Sequence, residues 1–104
     1  MTHPLGAGAE AIHLAKRLKN PEHVAVLLRL AEPEVGYYIT YDNVAKATGL
    51  THKRAKHIVR WMIRKGLAEY CRGLFDDEGK VCGSGHAASS MGRVVATLLE
   101  GDIP

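Results

Sequence analysis

Cysteine, aromatic side chains and long apolar runs are all scarce in this sequence. Cys71 and Cys82 are the only cysteines. Two are too few for a disulfide scaffold, and they lack the C-x-x-C spacing of a zinc site. They are expected to be small, partly buried residues in a reducing, cytosolic protein; pairing as a redox couple, or with His86 around a metal, is the weaker alternative. With one Trp, one Phe and four Tyr, the core must be built from Leu, Val, Ile and Ala. No run of about 18 apolar residues exists to span a membrane. Met1-Thr2-His3-Pro4 does not open a secretory signal, which needs a basic stretch followed by an apolar one. Catalytic chemistry is missing too. No nucleophile motif and no His–carboxylate pair stands out, and Asp76, Asp77 and Glu78 share a turn unsuited to positioned acid–base work. An enzyme is not expected, nor a cofactor, a metal or a small-molecule ligand.

What is present is an ordinary globular composition. The 104 residues are 46% hydrophobic and 24% charged, with a formal net charge of +3. This is the size of one domain. Residues 1–8 are expected to form a flexible tail and residues 9–104 one domain. There is no internal repeat or low-complexity segment.

Periodicity and punctuation divide the chain. Ala11, Leu14, Ala15 and Leu18 mark one stripe of a helix over Ala9–Lys19. Asn20-Pro21 opens a second helix, to about Glu32, with Val24, Leu27, Leu28 and Ala31 as its main stripe; Val26 and Leu30 are also apolar, so burial on more than one side is expected. Tyr37-Tyr38-Ile39 is β-prone and predicts a short edge strand. Thr40 caps a third helix, Tyr41–Thr48, ended by Gly49; Thr51 caps a fourth, His52–Lys65, ended by Gly66. Residues 67–72 alternate as a strand, 73–80 form a polar turn, and 81–88 return. Ser89 or Ser90 caps a last helix, Met91–Glu100. The expected class is mainly α with a small β-hairpin (α+β).

The segment 40–70 is the informative one. Two short capped helices joined by Gly49-Leu50-Thr51 have the makings of a helix-turn-helix, in which the second helix crosses the first steeply. Ala45 falls where the helices approach most closely. Ala55, Ile58, Val59 and Met62 form an inward stripe, which leaves His52, Lys53, Arg54, Lys56, His57, Arg60 and Arg64 outward. Residues 51–65 hold six of the 14 Lys and Arg residues and no Asp or Glu. Such a concentration without counter-charge is the footprint of a phosphate-binding surface. His52 and His57 are five positions apart, the wrong spacing for a metal pair on one helix face. Trp61 lies off the main stripe and is expected to pack beside the first helix rather than to stand free as a dimer contact.

Residues 39–51, Ile39-Thr40-Tyr41-Asp42-Asn43-Val44-Ala45-Lys46-Ala47-Thr48-Gly49-Leu50-Thr51, resemble the approach to a winged helix-turn-helix domain. Met62-Ile63-Arg64-Lys65-Gly66-Leu67-Ala68-Glu69 is similar to the passage from recognition helix to wing in that family. Ser84-Gly85-His86-Ala87-Ala88-Ser89-Ser90-Met91-Gly92-Arg93 is similar to the exit strand and following helix. The wing, with Asp76-Asp77 before Gly79, resembles that of MarR-like regulators. The likeness covers about residues 21–100. It implies a winged helix-turn-helix with an extra N-terminal helix, the recognition helix in the major groove of double-stranded DNA and the wing on backbone or minor groove. By position His52, Lys53, Arg54, Lys56 and His57 would sit nearest base edges, with Thr51 at the helix start, while Arg60, Arg64 and Arg72 would meet phosphate.

A cytoplasmic transcriptional regulator is the expected role, with a homodimer as the economical form. The alternatives are a winged-helix interaction module in a replication or packaging assembly and a non-specific DNA-binding accessory. Two features depart from MarR-like proteins. The wing tip is acidic, Asp76, Asp77 and Glu78 against Lys80, and DNA would repel it unless it points away or pairs with a basic neighbour. The long terminal helices that dimerise those proteins are absent; the helix Ala9–Lys19 either takes over that role or completes the core.

Overall fold

The computed structural model describes residues 4–34, 37–75 and 81–101. In chain order these form α1 (Pro4–Arg17), α2 (Pro21–Ala31), α3 (Tyr41–Thr48), α4 (His52–Arg64), β1 (Ala68–Phe75), β2 (Val81–Ala88) and α5 (Ser90–Glu100). The expected α+β class is found. The acidic tip, Asp76 to Lys80, lies outside the described residues.

Local chemistry sets most boundaries. The Asn20 side chain accepts from the Glu22 amide at 2.9 Å, with Pro21 in the first turn of α2. Thr40 and Thr51 do the same for α3 and α4, accepting from Asn43 N at 3.2 Å and Arg54 N at 3.1 Å. Gly49 ends α3 with φ 77°, a conformation costly for any residue with a Cβ, and its N–H returns to Ala45 O at 2.9 Å. Ser89 caps α5 by accepting from Gly92 N at 3.0 Å and donates its own hydroxyl to Gly66 O at 2.6 Å. That second bond joins the start of α5 to the end of the α4 turn.

The first helix starts at Pro4 rather than Ala9, because proline is at home in a first helical turn, and it stops at Arg17 rather than Lys19. Ala11 and Ala15 of α1, with Leu18 just beyond it, join the core, and α1 lies against α5. The helix therefore helps to complete the core. In α2 the fully buried residues are Val26, Leu27 and Leu30, while Val24, Leu28 and Ala31 are only partly covered. The stripe is rotated from the expected one because α3, α4 and α5 all pack on this helix. Around it gather Val44 and Ala45 of α3, Ala55, Ile58, Val59 and Met62 of α4, Leu67, and Val95 and Ala96 of α5. The Arg93 guanidinium crosses from α5 to donate to Ala31 O and Pro33 O at 3.1 and 3.0 Å, supplying partners for carbonyls at the end of α2. Trp61 is half-buried against His23, ring centroids 4.5 Å apart, and shares a groove with Leu14 and Leu18.

The hairpin pairs β1 and β2 antiparallel, Ala68 opposite Ala88 and Tyr70 opposite His86, with irregular register beyond Arg72. Residues 37–39 do not make the expected edge strand. Among the described residues they contribute a single bridge, in which Ile39 and His86 exchange two backbone hydrogen bonds of 2.8 Å. Tyr38 adds a side-chain bond to Glu69 at 3.0 Å. The register also separates the cysteines: Cys71 faces Gly85, and Cys82 falls at the irregular stretch opposite residues 74–75. Cys71 is half-buried and carries a free thiol.

Candidate nucleic-acid interface

The exposed face of α4 is fixed from behind. Ala55, Ile58, Val59 and Met62 are fully buried, so the residues between them must point out. His52, Lys53, Lys56, His57, Arg60 and Arg64 are exposed; Arg54 is half-covered. No acidic residue lies on the helix. The small side chain of Ala45 in α3 lets the two helices close on each other, and Leu50 plugs the turn between them.

The expected site residues fall into two neighbouring regions. Thr51, Lys53, Arg54 and His57 share a shallow depression at the start of α4. His52, Lys56, Arg60 and Arg72 line a larger groove between α4 and the hairpin, about 600 Å³ in volume. Arg72 of β1 thus stands on the same side as Lys56 and Arg60. Arg64 sits in the last turn of α4, farther along.

Two of these residues have partners in the free protein. The Arg54 guanidinium holds Glu22 of α2 with Nε and Nη2 at 2.9 and 2.8 Å from the same carboxylate oxygen. His52 Nδ1 lies 2.6 Å from Asp42 Oδ1 at the start of α3. Lys56 reaches over the Tyr41 ring, 5.9 Å from its centroid. These contacts tie α4 to its supporting helices, and they direct Arg54 and His52 toward carboxylates.

Aromatic rings that sequence patterning did not single out complete the groove. Tyr41 stacks on His86, centroids 4.4 Å apart and planes 24° apart, and Tyr70 leans on the same imidazole at 5.1 Å. His86 is only 5% exposed, and its Nδ1 has no hydrogen-bond partner. Burial holds its pKa below the ordinary histidine value of 6.5, against the pull of a hydrogen bond to the Ile39 backbone. Tyr70 stays 47% exposed. Hydrogen bonds with the Ser84 and Arg72 side chains lower its phenol pKa. The alternation of residues 67–72 offered a hint of which strand residues share a face, but only the register joins Tyr70 to His86. Glu22 gave no signal at all, since its link to Arg54 depends on how α2 crosses α4.

Among the described residues no three His, Cys, Asp or Glu side chains gather as a metal site, and no helix is long and apolar enough to cross a membrane. The arrangement is a helix-turn-helix whose second helix carries the cations, followed by a two-stranded wing: a winged helix-turn-helix fold. Solved structures share it. A protein of Ralstonia eutropha assigned to DNA binding superposes with a TM-score of 0.62 at 22% identity, over 80% of this chain and 99% of that one. A mutant of S. aureus MepR, a MarR-family regulator, superposes with a TM-score of 0.65 at 16% identity, over 88% of this chain. The chain spans 64% of the MepR chain's length. No protein-family model and no curated protein matches the sequence.

Proposed function

We propose that this chain binds double-stranded DNA in a sequence-specific way and acts as a transcriptional regulator, with α4 in the major groove. The observation that carries the reading is the acid-free outer face of α4. Lys53, Lys56, Arg60 and Arg64 stand exposed on one helix, and Arg72 of the wing flanks the same groove as two of them. Cations so placed suit two kinds of contact: bases near the helix start, and phosphates along its length and at the wing. Thr51, His52, Lys53, Arg54, Lys56 and His57 are assigned to the first region, Arg60, Arg64 and Arg72 to the second. The shared fold with a DNA-binding assignment and with MepR supports this. A second copy of the chain would double the sequence read, which a single helix limits to a few base pairs.

The experiment is binding to random duplex DNA across a salt series, with selection and sequencing of the bound fraction. The three cations assigned to phosphates, Arg60, Arg64 and Arg72, predict a steep loss of affinity with salt, a log–log slope near −2.7. Enrichment of a motif alongside that slope supports a regulator, and a palindrome supports the dimer. A steep slope without enrichment reduces the reading to a non-specific DNA binder. Absence of binding at low salt removes DNA from the account.

A further inference from the structure

The groove between α4 and the wing has more than a strip of charge needs. A surface that only tracks a phosphate backbone requires cations. Here Lys56, Arg60 and Arg72 share the groove with the aromatic set of Tyr41, His86 and Tyr70. Tyr41 is taken up, with His86 stacked on it and Lys56 above its ring. Tyr70 is different: it is half-exposed and braced from behind by His86, with Ser84 and Arg72 lining the same groove. Its ring is therefore a positioned, partly uncovered π surface beside three cations. The carboxylate on the rim, Asp42, is turned to His52. The groove is open to solvent, and its volume of about 600 Å³ exceeds what one phosphate group fills.

We infer that this groove takes one nucleotide, its base stacked on Tyr70 and its phosphate held by Lys56, Arg60 and Arg72. Aromatic stacking next to a cationic track is the chemistry that binds unpaired nucleotides whatever their sequence. A paired base within a duplex does not offer its face, so the ligand is an unpaired nucleotide at the end or junction of bound DNA, or a free mononucleotide. The first source rests on the proposed DNA binding; the second does not.

The test uses the full chain and the variants Tyr70→Phe and Tyr70→Ile. The first keeps the ring and the second keeps a good strand former without it; thermal unfolding checks that both fold. Three probes are titrated: a labelled blunt duplex, the same duplex with a short single-stranded extension, and thymidine monophosphate, with inorganic phosphate as competitor. The extended duplex should bind roughly tenfold more tightly than the blunt one. Tyr70→Ile should erase that advantage and leave the blunt duplex unchanged, while Tyr70→Phe retains it. If the two duplexes bind alike but thymidine monophosphate binds, with loss in Tyr70→Ile and not in Tyr70→Phe, the occupant is the free nucleotide. If no duplex binds at all, the DNA reading fails, and the same mononucleotide result still upholds the groove. The inference is overturned if neither the extension nor thymidine monophosphate is sensitive to Tyr70→Ile. It is equally overturned if inorganic phosphate displaces thymidine monophosphate at equal concentration, since the base then adds nothing.

Discussion

On the proposed reading, the Arg54 guanidinium reaches DNA only by letting go of Glu22. Both residues are partly exposed, with side-chain accessibilities of 39% and 42%, so water already weakens the pair. Exposed pairs are worth at most ~1 kcal/mol, a cost that binding must overcome. Glu22→Gln removes the competitor and a negative charge near the phosphates. It should raise duplex affinity up to about fivefold and leave the salt slope nearly unchanged, since Arg54 is assigned to a base edge rather than a phosphate. A salt titration of the variant beside the parent decides the matter: unchanged affinity would mean that Arg54 stays with α2 or away from DNA. His52 is held in a parallel way by Asp42, so the start of α4 is reserved in the free protein, while Lys53 and Lys56 are not bonded to any acid among the described residues.

The elements were legible wherever a few neighbouring residues fix their ends. Thr40 with Gly49, Thr51 with Gly66, and Asn20 with Pro21 each combine a hydroxyl or amide that accepts a backbone N–H with a residue suited to one dihedral. The run at 37–39 was not legible, because one bridge to His86 is a fact about tertiary distance, and β propensity carries no information about the partner. Burial of α2 on several sides was legible from Val26 and Leu30, but which of its apolar residues are covered most depends on how α3, α4 and α5 pack on it. Gly92 is another residue whose role depends on packing. A Cβ there would stand 1.9 Å from the Leu67 carbonyl oxygen, so α5 can press on the end of the α4 turn only without one. Gly92→Ala should cost about 3 kcal/mol, at the upper end for overpacking. Gly49→Ala meets nothing within 4 Å and bears only its positive φ, which costs about 1 kcal/mol. Urea unfolding of the two variants should rank them in that order, and equal losses would argue against the tight α5 contact.

Over the whole molecule, the same long-range packing explains what was legible in the site. The outward cations of α4 followed from the inward Ala55, Ile58, Val59 and Met62, a pattern contained in one helix. The carboxylates that engage Arg54 and His52, and the rings around His86, come from three other elements and become visible only once those are assembled. Burial of two separate histidines, His86 against Tyr41 and His23 beside Trp61, also sets a pH response. His86 and His23 are both held below the ordinary value of 6.5, chiefly by burial. The unfolded chain therefore takes up protons at a pH where the folded chain still refuses them. Stability from these groups is complete above about pH 6.5 and is lost as the pH falls below it, toward the lower folded pKa values. Melting temperatures at pH 7.5, 6.5 and 5.5 should decline across that series. His86→Phe, which keeps a ring against Tyr41, should decline less; an identical decline would locate the effect elsewhere. The Ile39–His86 bridge carries a different consequence. Both helices of the helix-turn-helix lie inside the loop that this bridge closes, and the Ser89 bond to Gly66 secures the far end. Synthesis runs from the N-terminus, so α3 and α4 leave the ribosome before either clasp exists. On the proposed reading the DNA-facing surface is thus among the last parts to be finished, and a chain broken off before β2 would lack both clasps.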